Sequence, residues 1–129
     1  MILEEIIELL KGNDALSTYL NISEYDPKIY PFSTDVVQDC ITYKFVPLTS
    51  DGIKEQNRFD VTVISRDMHR ALKILELTKD ALITIGDEPK TKSILEISLN
   101  GGGTPMENES TGTVHIKANF IIKNRKVVI

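Results

Sequence analysis

Residues 113–122, Thr-Val-His-Ile-Lys-Ala-Asn-Phe-Ile-Ile, show the cleanest alternation of apolar and polar side chains in this sequence. Successive side chains of a β-strand point to opposite faces, so the pattern predicts a strand with one dry face and one wet face. The side chains predicted to face inward are those of Val114, Ile116, Ala118, Phe120 and Ile122. Such a strand is typical of an antiparallel sheet that is covered on one side only.

Three earlier segments, residues 41–48, 58–65 and 93–99, also alternate between apolar and polar side chains. The first two are separated by a polar stretch with the turn signal Asp51-Gly52, so we expect them to form a hairpin. The third precedes the strand at 113–122 in the same way. The sequence therefore predicts two hairpins and four strands.

Two segments have apolar residues at helical spacing. One is residues 2–11, and the other is a helix that we expect Ser65 or Asp67 to cap and that continues to about residue 83. Pro27 and Pro31 interrupt residues 21–39, which we therefore expect to be irregular. The predicted order is helix, hairpin, helix, hairpin, or α-β-β-α-β-β. This order indicates an α+β two-layer sandwich with a four-stranded antiparallel sheet and the helices on one face.

The length of 129 residues predicts a single domain spanning residues 1–129. Polar composition predicts flexible loops at residues 49–57 and 100–112. The second loop contains three consecutive glycines after a strand, as a phosphate-binding loop would. No Gly-Lys-Ser/Thr follows them, and the continuation is acidic, which argues against a nucleotide site.

Candidate catalytic or metal-binding groups are few and scattered. Cys40 is the one cysteine, and the two histidines, His69 and His115, lie far from it in sequence and have no carboxylate at ligand spacing. We interpret Cys40 as a packing residue. The sequence therefore predicts no enzyme, no cofactor and no metal site.

Charge is unevenly distributed along the chain. Residues 1–40 hold eight acidic and two basic residues, a net charge of −6, although the whole chain has a net charge of only −4. The last twenty residues hold no acid and four bases, which are Lys117, Lys123, Arg125 and Lys126. This asymmetry has two interpretations of equal weight. The two regions are patches that meet in head-to-tail self-association, or both are ordinary surfaces exposed to solvent.

The apolar C-terminal residues Val127, Val128 and Ile129 follow this basic stretch. They have two interpretations: an edge strand within their own subunit, or an anchor on a neighbouring subunit. An acidic pI of about 5.2 and the absence of tryptophan argue against specific nucleic-acid binding. No apolar run reaches the ~20 residues of a membrane span, and acidic Glu4 and Glu5 stand where a signal peptide is basic, which predicts a cytoplasmic protein without a membrane partner.

Several short elements resemble, in order, those of the tail-completion (tail-terminator) proteins of long-tailed phages and prophages. After an N-terminal helix that ends Glu-Leu-Leu-Lys at residues 8–11 comes Ile-Tyr-Pro at residues 29–31. The sequences Ile-Thr-Tyr at 41–43 and Arg-Phe-Asp-Val-Thr-Val at 58–63 are similar to the family's first two strands. A helix rich in alanine and leucine and a final hairpin follow. The residues Gln-Asp-Cys at 38–40 depart from the family, many of whose members have proline before the first strand.

The resemblance implies a structural protein whose subunits form a ring, usually a hexamer, at the head-proximal end of the tail tube. Its partners would be further copies of itself, the tail tube protein and the head connector protein. It would assemble in the host cytoplasm and remain in the virion tail. The alternative is a small protein-interaction or adaptor module of an unrelated assembly.

Within such a ring, the charge asymmetry suggests which residues form the contact between subunits. We expect the acidic N-terminal helix to meet the basic C-terminal end of a neighbour. The candidate interface residues are Glu4, Glu5, Glu8, Lys123, Arg125, Lys126, Val127, Val128 and Ile129.

Overall fold

Eight helices and strands are present in residues 2–23, 25–32, 38–84, 91 and 93–125, the residues that a computed structural model describes. They are α1 (Ile2–Lys11), α2 (Asp14–Leu20), β1 (Ile29–Pro31), β2 (Cys40–Ser50), β3 (Lys54–Ser65), α3 (Met68–Leu82), β4 (Ile94–Asn108) and β5 (Thr113–Arg125). The helix predicted at residues 2–11 is confirmed. The strand predicted at residues 113–122 is also confirmed and continues to Arg125.

The helices follow from apolar periodicity and from capping side chains. In α1, Ile2, Ile6 and Leu10 are buried at intervals of four residues, which is one face of a helix. The side chain of Asn13 accepts a hydrogen bond from the backbone N–H of Leu16 at 3.0 Å and so begins α2. Asp67 begins α3 in the same way, because its carboxylate accepts from the N–H of His69 at 2.9 Å.

The predicted four-stranded antiparallel sheet is wrong. Within the described residues the sheet has five strands in the order β1-β2-β3-β5-β4. It is mixed because β1 runs parallel to β2, whereas the other neighbours are antiparallel. Three helices, not two, accompany it in the described residues. The order is therefore α-α-β-β-β-α-β-β.

The missed strand lies in the segment that proline led us to expect as irregular. Ile29 pairs with Ile41, and Pro31 pairs with Tyr43. Proline lacks a backbone N–H, which excludes it from the interior of a sheet but not from an edge strand. β1 is such an edge strand, so Pro31 removes no hydrogen bond that the sheet needs.

The two predicted loops are shorter than the sequence suggested. β2 extends to Ser50 and β3 starts at Lys54, so only residues 51–53 form the turn. Of residues 100–112, those up to Asn108 belong to β4. Register shifts between Leu99 and Gly101 and between Gly102 and Pro105 let Gly101 and Gly102 remain paired with β5.

The helices and one face of the sheet share a hydrophobic core. Fully buried Phe59 of β3 and Phe120 of β5 lie side by side in this core, opposite each other in the register. The opposite face of the sheet is wetter and carries Lys117 and Lys123, both exposed. The fold therefore has a helical layer and a sheet face that the helices do not cover.

Candidate functional site

One candidate surface lies on the outer side of α1, and we call it the acidic helix surface (Glu4, Glu5 and Glu8). Glu4 and Glu8 are exposed, because the opposite side of the helix is buried in the core. Glu5 is half-buried and accepts a hydrogen bond from the hydroxyl of Thr91 at 2.8 Å. Beside these carboxylates is an open groove of about 390 Å³, lined by Glu5, Glu8, Leu9 and Thr91.

A second candidate surface is the face of the sheet away from the helices, and we call it the basic sheet face (Lys44, Lys117, Lys123 and Arg125). All four side chains are exposed. Three of them are on β5 and are separated by even numbers of residues, so the strand itself aligns them on one face. Acidic residues offset part of this charge. Asp60 pairs with Arg58 at 2.9 Å and Glu96 pairs with Lys123 at 3.7 Å, and Glu107 and Glu109 line a pocket together with Lys117.

These ion pairs leave the face positively charged. Lys123 and Glu96 are each more than half exposed, so their pair contributes little stability and is easily exchanged for another contact. In the described part of the chain, no ion pair joins Lys44 or Lys117 to a carboxylate within 4 Å. An acidic partner can therefore bind to this face without breaking an ion pair that contributes much to the stability of the chain.

Those predicted interface residues that the structure describes do not come together within one chain. Glu4, Glu5 and Glu8 lie in the helical layer, whereas Lys123 and Arg125 lie on the opposite sheet face. A contact between the two sets therefore requires two copies of the chain. The remaining candidates, Lys126, Val127, Val128 and Ile129, lie outside the described residues.

A polar cluster around Asp39 was not predicted from the sequence. Its carboxylate accepts from the hydroxyl of Ser65 at 2.6 Å and from Nε of Arg70 at 2.6 Å, and the guanidinium of Arg70 lies 4.6 Å from the ring centre of Tyr19. The Asp39 carboxylate raises the pKa of Arg70. The cluster connects the residue immediately before β2 to β3, α2 and α3, so we interpret its role as structural.

No local pattern could have revealed this cluster, because its members are 26 and 31 residues apart. Asp39 and Arg70 line an open groove of about 530 Å³, and Lys28 lines it as well. Lys28 is paired with Asp26 at 2.7 Å and donates to Gln38 at 3.2 Å. Lys28 and Arg70, which both line this groove, therefore each already form an ion pair with an acidic side chain.

The groups considered as catalytic or metal-binding candidates lie apart. His115 is hydrogen-bonded to the hydroxyl of Thr113 at 2.9 Å, and His69 is exposed at the start of α3. Among the described residues, no three His, Cys, Asp or Glu side chains are grouped as a metal site requires. No helix in that same part of the chain is long and apolar enough to cross a membrane.

Cys40 is completely buried in β2. Burial, together with the negative charge of Asp39, raises the pKa of its thiol to about 11, from the usual 9.0. The thiolate is the reactive form of cysteine, and it is therefore scarce at neutral pH. This environment is consistent with the interpretation of Cys40 as a packing residue.

The raised pKa of Cys40 predicts a loss of stability in alkali. Because the folded-state pKa is the higher one, the thiol's contribution is complete below pH 9 and decreases as the pH rises towards 11. We expect the native chain to lose about 2 kcal/mol more than Cys40→Ala between about pH 7.5 and about pH 10.5. Urea denaturation at both pH values measures this difference, and equal losses in the two proteins would contradict it.

Comparison with known proteins gives information on the fold. No protein-family model and no curated protein matches the chain. Among solved structures, it is similar to a chain of the "Virion of native gene transfer agent (GTA) particle", with a TM-score of 0.67 and 12% sequence identity. The similarity covers 94% of this chain and 92% of that one. At this identity the similarity demonstrates a shared fold over almost the whole of both chains.

Proposed function

We propose that this chain is a structural subunit of a phage-like particle and that its copies associate head to tail. The nearly complete overlap with a chain from a virion structure supports a structural role. The finer proposal is a tail terminator, a ring that caps the tail tube and offers a docking face to the head connector. The ordered sequence resemblance to tail-completion proteins supports that role.

The observation that carries the proposal is the placement of two oppositely charged surfaces on opposite layers. A contact between the acidic helix surface of one copy and the basic sheet face of the next leaves one unused surface at each end. Such heterologous contacts close into a ring when the rotation between subunits permits, and otherwise continue as a filament. Opposite charges also accelerate the encounter and fix its orientation.

The proposed partners follow from this arrangement. Further copies of the chain form the ring, for which we propose a hexamer, and the tail tube and head connector proteins bind its two rims. Assembly takes place in the host cytoplasm, and the ring stays at the head-proximal end of the tail. With a net charge of −4, the subunit has no general attraction for the DNA that would pass through it.

Charge reversal with rescue tests the head-to-tail contact. We expect Lys123→Glu with Arg125→Glu to weaken self-association at least tenfold, and Glu4→Lys with Glu8→Lys to restore much of it when the two variants are mixed. Glu8 replaces Glu5 in this design because the Glu5 carboxylate is engaged by Thr91. Sedimentation velocity at low salt measures the association, since salt screens such contacts.

The control is Lys73→Glu, which makes half of that change of charge, one reversal in place of two, on α3, a helix that belongs to neither surface. It should leave association unchanged. Folding of each variant is checked by circular dichroism. Weak association that the opposite variant does not rescue, with all proteins folded, would reject the proposed pairing.

An adaptor module remains the alternative function, and electron microscopy distinguishes the two. Negative-stain images of the protein with tail tubes should show rings or capped tube ends if it is a terminator. An adaptor would leave the tubes uncapped and their lengths unchanged. We also propose that the chain is not an enzyme and needs no cofactor, which a ligand-dependent thermal shift in a metabolite screen would contradict.

A further inference from the structure

Phe32 combines two features that are unfavourable in an isolated subunit. Its backbone has φ +62°, the left-handed conformation that bulky side chains rarely adopt. Its side chain is 75% exposed, although an aromatic ring is among the most favourable side chains to bury. Residues held in this conformation tend to cluster at functional sites, where the surrounding structure enforces them.

The edge of the sheet enforces the conformation of Phe32. The backbone N–H of Phe32 donates to the carbonyl of Tyr43 at 2.7 Å, immediately after β1 pairs with β2. This bond turns the chain so that the ring stands beside the sheet face away from the helices. There Phe32 lines a shallow groove of about 200 Å³ together with two basic side chains, Lys44 and Lys117, and one acidic side chain, Asp60, whose carboxylate is paired with Arg58.

We propose that Phe32 is the apolar anchor of the contact between subunits and that it inserts into the groove beside Leu9 on a second copy of this chain. This inference rests on the proposed head-to-tail association and names its central contact. The receiving groove is the one lined by Glu5, Glu8, Leu9 and Thr91. Anchors of this kind, an aromatic side chain in a pocket near the centre of an interface, carry much of the binding energy.

Charge complementarity favours a second copy as the occupant. The ring of Phe32 is flanked by Lys44 and Lys117, and the one carboxylate beside it, that of Asp60, is already paired with Arg58. The groove beside Leu9 is flanked by Glu5 and Glu8. Each site therefore has an apolar centre, and the flanking side chains of the two sites carry opposite charges. They lie in opposite layers of the fold, so a chain can offer one site to each neighbour.

Phe32→Asn tests the anchor, because asparagine tolerates the left-handed conformation and removes the ring. We expect the isolated variant to keep or exceed the melting temperature of the native monomer, while self-association weakens at least tenfold. Tyr25→Asn is the matched control, since its ring is 94% exposed but does not line either groove. Normal association of Phe32→Asn, or a clear loss of monomer stability, would overturn the proposal.

Crosslinking tests the receiving groove directly. One protein carries Phe32→Cys and the other carries Leu9→Cys, both in a Cys40→Ala background, and the mixture is treated with a short bismaleimide. We expect a covalent heterodimer, and far less of it when Tyr25→Cys replaces Phe32→Cys. Equal yields from the two positions would reject this groove as the site of Phe32.

The outcomes separate this inference from the proposed function. If charge reversal abolishes assembly with rescue while Phe32→Asn assembles normally, the anchor is wrong and the head-to-tail contact stands. If the native chain never self-associates, with or without tail tubes, both are wrong. If Phe32→Asn alone prevents assembly and the crosslink forms as expected, both are supported.

Discussion

Phe120→Ala is expected to lower the free energy of unfolding by about 3–5 kcal/mol, the range found when large aromatic core residues are truncated. Phe120 is fully buried on β5, which lies between β3 and β4 in the sheet. It is opposite Phe59 on one side and Leu99 on the other. Neighbours on a central strand are held by two ladders of hydrogen bonds, so they cannot collapse into the space that the ring leaves.

Urea denaturation followed by circular dichroism measures this loss. The matched control is Leu99→Ala on the neighbouring edge strand, because Leu99 is 40% exposed and loses fewer contacts. We expect the control to cost about 1 kcal/mol. A cost below about 1 kcal/mol for Phe120→Ala would show that the core is not centred on this residue.

Gly102→Ala is expected to cost about 3 kcal/mol, which is large for the addition of one methyl group. Gly102 has φ +98°, and a Cβ atom built there would clash with the carbonyl oxygen of Lys117 on β5. That oxygen belongs to the backbone of a paired strand and cannot move aside. Both the strain and the clash would have to be relieved by separating β4 from β5.

Gly103→Ala is the control that measures the effect of backbone strain without a steric clash. Gly103 also has a positive φ, +108°, but no atom lies within 4 Å of a Cβ built there. This control should cost about 1 kcal/mol, from backbone strain alone. Thermal unfolding of the two variants makes the comparison. Equal, small effects would mean that residues 100–108 behave as the flexible loop that composition predicted and not as part of β4.

The elements predicted correctly are those that local periodicity determines. The alternation in β5 and the helical spacing in α1 each define a buried face without reference to any other part of the chain. Capping is equally local, and Asp67 was one of the two residues expected to begin α3. The predictions that were wrong depend on a partner strand, as for β1, or on bulges that keep glycines paired, as for β4.

The candidate site shows the same division. Counting acidic and basic residues along the sequence was enough to show an acidic N-terminal region and a basic C-terminal region. The alternation of apolar and polar residues in β5 placed Lys117 on the solvent-facing side of that strand. The sequence held no signal for Phe32, because its exposure and its positive φ both result from the pairing of β1 with β2. The same is true of the groove beside Leu9, which Thr91 completes from 82 residues away in the sequence.

The sequence by itself determined an α+β chain, the buried faces of its main helices and strands, and the separation of acidic and basic residues along its length. Only the tertiary structure decided that the sheet has a fifth, parallel strand and that the two charged regions occupy opposite layers. The physical reason is that periodicity and net charge are properties of neighbouring residues, whereas pairing and opposed faces depend on contacts between distant segments.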